Sequence, residues 1–426
     1  MTSTTFTIAF ACALAAMVGT RLWLSRRHVA HIAAHRDRVP PAFAERVALP
    51  AHHKAADYTV ANQAMRRVET LVDALLLCLL TFGGGVGLLA VWTGSLGIGP
   101  LWQDVVLIGA LALLSAMVSL PFSWYSTFGI EQRFGFNRTT RRMWVSDLLK
   151  GTAVSLVLGL PLLVGILWLM RESGALWWLW AWIAWMAFQL LVLVLYPTLI
   201  APIFNRFEPL PEGETRTRVE TLLARCGFAS SGLFVMDGSK RSGHGNAYFT
   251  GLGRAKRVVF FDTLIARLSG DELEAVLAHE LGHYKLKHVV KRILWSAIVS
   301  LAFLATLAWL MHQPWFHAAL GIPQHAVADA ISRPGIALAL FSLVAPVFLF
   351  LLSPLASLYS RKHEFEADAF AARTASAPAL AQALVKLYED NATTLTPDPL
   401  HSAFYDSHPP AAVRVARLAS LALRES

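Results

Sequence analysis

The chain has 426 residues, of which 55% are hydrophobic and only 15% charged, and its mean hydropathy is +0.50. This composition is too apolar for a soluble protein of this length, and the apolar residues are gathered in long runs, so it predicts a polytopic membrane protein. The net charge of +9 comes without a basic stripe interleaved with aromatic residues, which argues against a nucleic-acid partner. The separate Cys12, Cys78 and Cys226 exclude a disulfide framework or a cysteine-rich zinc module, so any metal chemistry must use His and carboxylate ligands.

Seven apolar runs are long enough to cross about 30 Å of hydrocarbon. They are residues 5–24, 71–92, 101–120, 151–170, 176–195, 293–311 and 335–357. Basic residues follow the first run rather than precede it, which predicts a retained helix and not a signal peptide. The sequence therefore predicts an N-terminal domain with five spans (1–196) and a C-terminal domain with two further spans (197–426).

The loop charges predict the orientation of these spans. Lys and Arg are concentrated between the first and second spans and between the third and fourth, whereas each of the three alternate loops holds at most one. The positive-inside rule then places the N-terminus outside and residues 197–292 and 358–426 in the cytoplasm.

Residues 197–268 form the first long polar stretch, and their pattern predicts a small α+β unit. We predict a helix over 212–226, a strand over 233–236, and a hairpin of 246–249 with 257–261 across a turn at 251–253. If Asn246, Ala247, Tyr248 and Phe249 form an edge strand, an extended peptide could add to it through main-chain hydrogen bonds. An ordinary structural hairpin is the alternative.

The segment 269–288 contains the pattern H-E-x-x-H at residues 279–283. Ser269 and Glu272 have capping-box spacing, and the apolar residues recur at helical intervals. His279 and His283 then lie one turn apart on one face and could bind a single Zn²⁺, while Glu280 could take a proton from a metal-bound water. The alternative is an amphipathic helix with surface histidines.

The helix-favouring segment 360–370 offers a third ligand. Glu364 and Asp368 share a face four residues apart, so Glu364 could bind the metal while Asp368 orients a ligating histidine. Glu366 points elsewhere. The alternative is a solvated charged helix. Further along, His408 and Arg414 could bind an oxyanion or a substrate carboxylate, although such residues in a tail are usually solvated.

Six separated segments resemble the type I CAAX prenyl protease family, which are seven-span zinc metalloproteases that cut isoprenylated C-terminal peptides. The resemblance covers nearly the whole chain. It rests on FGIEQRFGFN (128–137), YPTLIAPIFN (196–205), HGNAYFTG (244–251), HELGH (279–283), EFEAD (364–368) and SHP (407–409).

This resemblance implies a mainly α fold in which seven transmembrane helices surround a chamber and a small cytoplasmic α+β zinc-metalloprotease domain lies at its end. It implies one Zn²⁺ per chain, a peptide or protein substrate with or without a lipid, contact with membrane lipid, and cleavage near the C-terminus. The substrate would lie as an added strand beside residues 246–249, and His408 and Arg414 would line the site. A bacterial chain would place the protein in the cell inner membrane.

Three alternatives compete with this interpretation. A heat-shock-type quality-control zinc protease shares the motif but usually has fewer spans. A site-two intramembrane protease would carry the motif inside an apolar span, whereas charged residues surround it here. A non-catalytic transporter or scaffold would have no need for a carboxylate at Glu364.

Overall fold

The computed structural model describes residues 1–228, 232–250 and 257–425. The N-terminal helices are α1 (Ser3–Ala34), α2 (Leu49–Leu80), α3 (Gly85–Gly94), α4 (Pro100–Tyr125), α5 (Arg141–Glu172), α6 (Trp177–Leu195) and α7 (Ala201–Phe204). The later helices are α8 (Glu214–Arg225), α9 (Asp262–Ile265), α10 (Gly270–Lys285), α11 (His288–Leu310), α12 (Pro314–Ala319), α13 (Val327–Ser332), α14 (Pro334–Leu349), α15 (Ser353–Thr374), α16 (Ala377–Asp390), α17 (Pro399–Tyr405) and α18 (Ala411–Glu425). The predicted mainly helical fold is confirmed.

Six helical segments in the described part of the chain are long and apolar enough to cross a membrane, and a seventh span is obtained if the bent pair α2 and α3 counts as one. The predicted single span over 71–92 is corrected here, because α2 ends at Leu80 and α3 starts at Gly85 with a 54° bend between them. Gly84 has φ of 71°, in the left-handed region that favours glycine, so the backbone turns inside a continuous apolar run.

The spans contact one another largely in chain order. α1 contacts α2, the bent α2–α3 pair contacts α4, and the contacts continue through α5, α6 and α11 to α14. α14 closes the group, because it contacts α1 and also α3, α4 and α5. Five of the single spans bury only 11–22% of their apolar window, whereas the segment Pro334–Thr374, which includes α14, buries 56%.

The sheet lies in the polar region and has the order β1 (Phe207–Pro209), β2 (Leu233–Met236), β4 (Arg257–Phe261) and β3 (Ala247–Thr250). β4 pairs in parallel with β2 and antiparallel with β3. The predicted strand and hairpin are therefore confirmed, and β3 is at the edge of the sheet formed by the described residues. The turn predicted at 251–253 lies outside those residues.

Two helices carry the candidate site, and each is joined to a membrane span. α10 begins at a complete capping box between Ser269 and Glu272, as predicted, and is followed almost directly by the span α11. α15 continues from α14 through a short 3₁₀ turn at Phe350–Leu352. α10 and α15 pack against each other, so the two predicted halves of the site meet where the spans end.

Candidate active site

His279 and His283 lie on one face of α10 and point toward a common position. Their Nε2 atoms are 3.2 Å apart. The Nδ1 atom of each ring faces the opposite way, toward a different partner. Helical spacing of four residues produces this convergence, because residues one turn apart stand above one another.

Glu364 on α15 completes a group of three possible metal ligands. Its Oε1 is 3.2 Å from His283 Nε2, and its Oε2 is 3.5 Å from His279 Nε2. Ligand atoms at the corners of a zinc tetrahedron, each 2.0–2.1 Å from the ion, are about 3.3–3.4 Å apart. Glu364 Oε2 is buried without a hydrogen-bond partner in the described chain. The donor set and its spacing therefore fit a metal ion.

The charges around this position also favour a cation. Three carboxylates surround the ligand atoms, that of Glu280 in the cleft and those of Glu364 and Asp368 beside it, and the guanidinium of Arg414 contacts the latter two. Burial by itself lowers the pKa of His279, but the neighbouring carboxylates of Asp368 and Glu364 raise it to about 9. The carboxylates around His279 therefore favour positive charge at this position.

Asp368 lies behind His279, as predicted from its spacing with Glu364. Its Oδ1 is 2.8 Å from His279 Nδ1, so it accepts that N–H and leaves Nε2 free as a ligand atom. Arg414 is almost fully buried and donates to both carboxylate oxygens of Asp368, at 2.9 and 2.6 Å. The guanidinium of Arg414 is thus already paired with a carboxylate of the protein.

A cleft of about 670 Å³ opens beside the ligand atoms. Glu280, His408, Asn246 and Ala247 line it. The His408 side chain is 61% exposed, and its Nε2 is 3.5 Å from Glu364 Oε1. A substrate in this cleft would therefore contact Glu280 and His408.

The predicted substrate strand begins at the cleft and then leaves it. Asn246 is exposed and Ala247 is buried, both at the cleft wall. Tyr248 and Phe249 continue β3 along the sheet edge, where the Phe249 ring packs edge-on against Phe228 at 5.3 Å. α10, which carries the H-E-x-x-H motif, contacts β3 directly, so the strand and the motif helix lie side by side.

Gly282, inside the motif, permits the close approach of α10 and α15. A Cβ atom at this position would lie 3.0 Å from Ala367 Cα and 3.2 Å from Ala367 O. Ala367 is between Glu364 and Asp368 on α15, so any displacement there moves both carboxylates. The sequence alone does not indicate this role, because the motif leaves the position unspecified.

We expect Gly282→Ala to weaken metal binding and to lower the unfolding temperature. Overpacking a tight contact costs about 1–3 kcal/mol, which exceeds the roughly 1 kcal/mol that alanine gains in a helix. Gly109→Ala is the matched control, because a Cβ there has nothing within 4 Å. Thermal unfolding and zinc titration of both variants test this, and a Gly282→Ala protein with wild-type metal affinity would contradict it.

A polar cluster outside the predicted residues fixes the segment before β3. His244 Nε2 is 3.5 Å from Glu131 Oε2, and its Nδ1 is 3.1 Å from Asn391 Oδ1. Glu131 also accepts a hydrogen bond from Tyr58 on α2. Because Glu131 ends the π-helical turn Ser126–Glu131 after α4, this cluster ties the membrane part to the strand beside the cleft.

This cluster predicts a pH-dependent contribution to stability. The hydrogen bond to Glu131 raises the pKa of His244 above its ordinary value, against the opposing effects of burial and of Lys54. A group with a raised folded-state pKa stabilises fully below its unfolded pKa, about 6.5, and this contribution is lost as the pH rises through the folded pKa. Glu131→Gln, which retains an acceptor for Tyr58, should therefore cost about 1 kcal/mol at pH 6 and less at pH 8.5.

Thermal unfolding of the detergent-solubilised protein at the two pH values measures this difference. The control is the same substitution made in a His244→Asn background, where the cost should no longer depend on pH. A cost of Glu131→Gln that stays constant or grows with pH in the parent protein would contradict the assignment.

Comparison with known proteins decides the family. Residues 28–206 match the family model of the CAAX prenyl protease N-terminal region with five membrane helices, and residues 209–422 match peptidase family M48. The chain belongs to the M48 peptidase family. This M48 peptidase is 40% identical to the CAAX prenyl protease 1 homolog of Arabidopsis thaliana, over 71% of this chain and 70% of that protein.

Other relatives of this M48 peptidase extend over similar lengths. It is 36% identical to CAAX prenyl protease 1 of Saccharomyces cerevisiae over 74% of this chain and 72% of that protein, and 32% identical to the human homolog over 77% and 76%. The crystal structure of S. mikatae Ste24p superposes with a TM-score of 0.86 at 26% identity, covering 97% of this chain and 98% of that chain.

These comparisons confirm the predicted family, the fold class and the activity class. The protein is a multi-pass membrane metalloprotease of the CAAX prenyl protease type, which acts on a peptide or protein substrate and uses a metal ion. The individual roles of the site residues stay predictions, although the structure brings these residues into one group of contacting side chains beside the cleft: His279, His283, Glu364, Asp368, His408 and Arg414.

Proposed function

We propose that this M48 peptidase is a zinc-dependent endopeptidase that cuts prenylated proteins near their C-terminus. The observation that carries the proposal is the spacing of 3.2–3.5 Å among the ligand atoms of His279, His283 and Glu364. Two imidazoles and one carboxylate form the set typical of catalytic zinc in peptidases, with a fourth position left for water or substrate. The named activity of the relatives supports the prenylated substrate class.

When bound, zinc would polarise the substrate carbonyl and lower the pKa of a nearby water. Glu280 borders the same cleft, so its carboxylate would accept the proton of the attacking water and pass it to the leaving amine. His408, which is exposed and lines the same cleft, would donate to the developing oxyanion. We assign Arg414 to positioning of His279 through Asp368 rather than to direct contact with substrate, because both of its short contacts are to Asp368.

The substrate backbone would lie along β3. An edge strand offers unpaired N–H and C=O groups to an extended chain, which gives affinity without strict sequence preference. Asn246 and Ala247 would hold the residues nearest the scissile bond, since they line the cleft beside Glu280. Tyr248 and Phe249 would then contact the part of the peptide farther from the metal.

The membrane part would bind the lipid of the substrate. An isoprenyl chain attached close to the scissile bond needs an apolar space that opens beside the site, and the low burial of five of the apolar spans supports such a space. We propose a cytoplasmic position for the site, next to membrane lipid; the distribution of Lys and Arg among the loops supports this side. We also propose a membrane domain (1–196) and a metalloprotease domain (197–426). The two matched family regions, which meet between residues 206 and 209, support a division into two units close to this boundary.

The decisive experiment compares a farnesylated peptide with its unlipidated twin. Purified detergent-solubilised protein should cut the farnesylated peptide faster, lose activity with a chelator, and regain it when Zn²⁺ is restored. Equal cleavage of both peptides would contradict the proposed preference for a lipidated substrate but would leave the proposed protease activity intact. Full activity after complete removal of metal would overturn the mechanism.

A further inference from the structure

The second motif histidine has a partner on its outer nitrogen that sequence spacing did not predict. His283 Nδ1 is 3.0 Å from Nδ1 of His288, the first residue of α11. His288 Nε2 is in turn 3.0 Å from Glu366 Oε2 on α15. The His288 side chain is fully buried, so solvent does not replace either contact. These three side chains form a chain that ends at the proposed metal position.

The protons of this chain can be placed in only one consistent way when the rings are neutral. His283 uses Nε2 toward the metal position, so its proton is on Nδ1 and donates to Nδ1 of His288. Nδ1 of His288 is then an acceptor, and its own proton is on Nε2, where Glu366 accepts it. Every donor has an acceptor, and the lone pair of His283 Nε2 is directed at the ligand position.

A second metal site is the alternative function for this region, because the possible ligand atoms of His288, His363 and Glu366 lie close enough together to hold an ion. Two observations argue against this. A metal on His288 Nε2 would place a proton on its Nδ1, opposite the N–H of His283 at 3.0 Å. The rings of His288 and His363 are also stacked at 4.0 Å with an 11° interplanar angle. Lone pairs in the planes of stacked rings run parallel and do not converge on one ion.

The backbone before His288 is shaped for this contact. Lys287 has φ of 58°, one of two positive values outside glycine in the described chain. A left-handed conformation costs a bulky residue about 1 kcal/mol, and such strain is typical of functional sites. The turn ends α10 and starts α11 at once, which brings His288 back against His283.

We propose that His288 and Glu366 are positioning residues that orient His283 as a metal ligand. They mirror the pair formed by Asp368 and Arg414 behind His279, so each motif histidine is held by a buried group on its outer nitrogen. Partners of this kind fix the tautomer and raise the basicity of the ligand. The inference deepens the proposed zinc site and rests on it.

The test is the zinc affinity of the full-length detergent-solubilised protein, measured by competition between Zn²⁺ and a chromophoric chelator. His288→Ala should weaken zinc binding about 10- to 100-fold, the usual cost of losing such a partner. His288→Asn should restore affinity to within about threefold of the parent, because its Oδ1 can accept the His283 N–H from the position of the lost Nδ1.

Three further variants separate this role from a structural one. Glu366→Ala should weaken binding less than His288→Ala, and Glu366→Gln, which keeps an acceptor, should restore it. His363→Ala is the matched control, since it removes the stacked neighbour but no member of the chain, and it should leave zinc affinity unchanged. With Co²⁺ in place of Zn²⁺, the visible absorption of the His288→Ala protein should change, whereas that of His363→Ala should not.

Three outcomes would overturn the proposal. They are wild-type zinc affinity in His288→Ala, equal loss in the Ala and Asn variants, and two zinc ions per parent chain of which one disappears in His363→Ala. A parent protein that binds no zinc would instead contradict the proposed metal site itself. Failure of the metal site can therefore be distinguished from failure of the role proposed for His288 and Glu366.

Discussion

Replacing Glu280 with Gln is expected to reduce peptide cleavage by about 10³-fold while zinc remains bound. The amide has the shape of the carboxylate, so the packing of α10 should persist, but it cannot accept a proton from water. His279 and His283, which flank Glu280 in the motif, keep their positions, and so do Asp368 and Glu364 around them. The loss should therefore fall on kcat and not on metal content.

Glu274→Gln is the matched control for this substitution. Glu274 is on the same helix, but its carboxylate pairs with Arg225 at the surface and is absent from the cleft. This variant should cleave at the parent rate. Metal analysis and cleavage of a farnesylated peptide, performed on both variants, separate chemistry from folding. A Glu280→Gln protein that cuts at the parent rate would remove Glu280 from the mechanism.

The membrane architecture could be predicted from the sequence because each span is a local property of the chain. A run of apolar residues can be recognised in the sequence without knowing which helices it packs against. The break between α2 and α3 could not be predicted in this way, since residues 81–84 carry no charge and lie inside a longer apolar run. It depends on the left-handed Gly84 and on close packing, because a Cβ on Gly84 would lie 3.3 Å from the carbonyl oxygen of Gly321.

The candidate site could be predicted only where its residues share a helix. The spacing of His279 with His283, and of Glu364 with Asp368, follows from helical periodicity. The approach of the two helices was implied by family resemblance and depends physically on Gly282, which no spacing rule identifies. Pairings between distant segments that no motif or family resemblance indicates could not be predicted.

Two such pairings illustrate the reason. The contact of His244 with Glu131 joins the segment before β3 to the turn after α4, and no helical or strand spacing relates the two residues. Glu366 was predicted to point away from the metal face, and it does so, but the left-handed Lys287 brings His288 to it. Backbone turns of this kind depend on tertiary packing, so they become visible only in the folded chain.

Glu364→Gln is expected to weaken zinc binding by more than the roughly 100-fold upper limit for partners outside the ligand set, and to abolish cleavage as a consequence. An amide oxygen is a poor zinc ligand, and the site also loses the negative charge that balances the ion. Packing should be retained, since the amide replaces the carboxylate atom for atom. A matched control is Glu389→Gln, which removes only a surface carboxylate near Arg267.

Zinc competition with a chelator measures the affinities of both variants, and thermal unfolding verifies that both are folded. The two glutamates also separate the roles within the site, because Glu280→Gln should keep its metal and lose its rate, whereas Glu364→Gln should lose both. Excess Zn²⁺ should restore part of the activity of Glu364→Gln but none of that of Glu280→Gln, since mass action refills a weakened site but does not replace a proton acceptor. Parent zinc affinity in Glu364→Gln would show that the metal is held elsewhere.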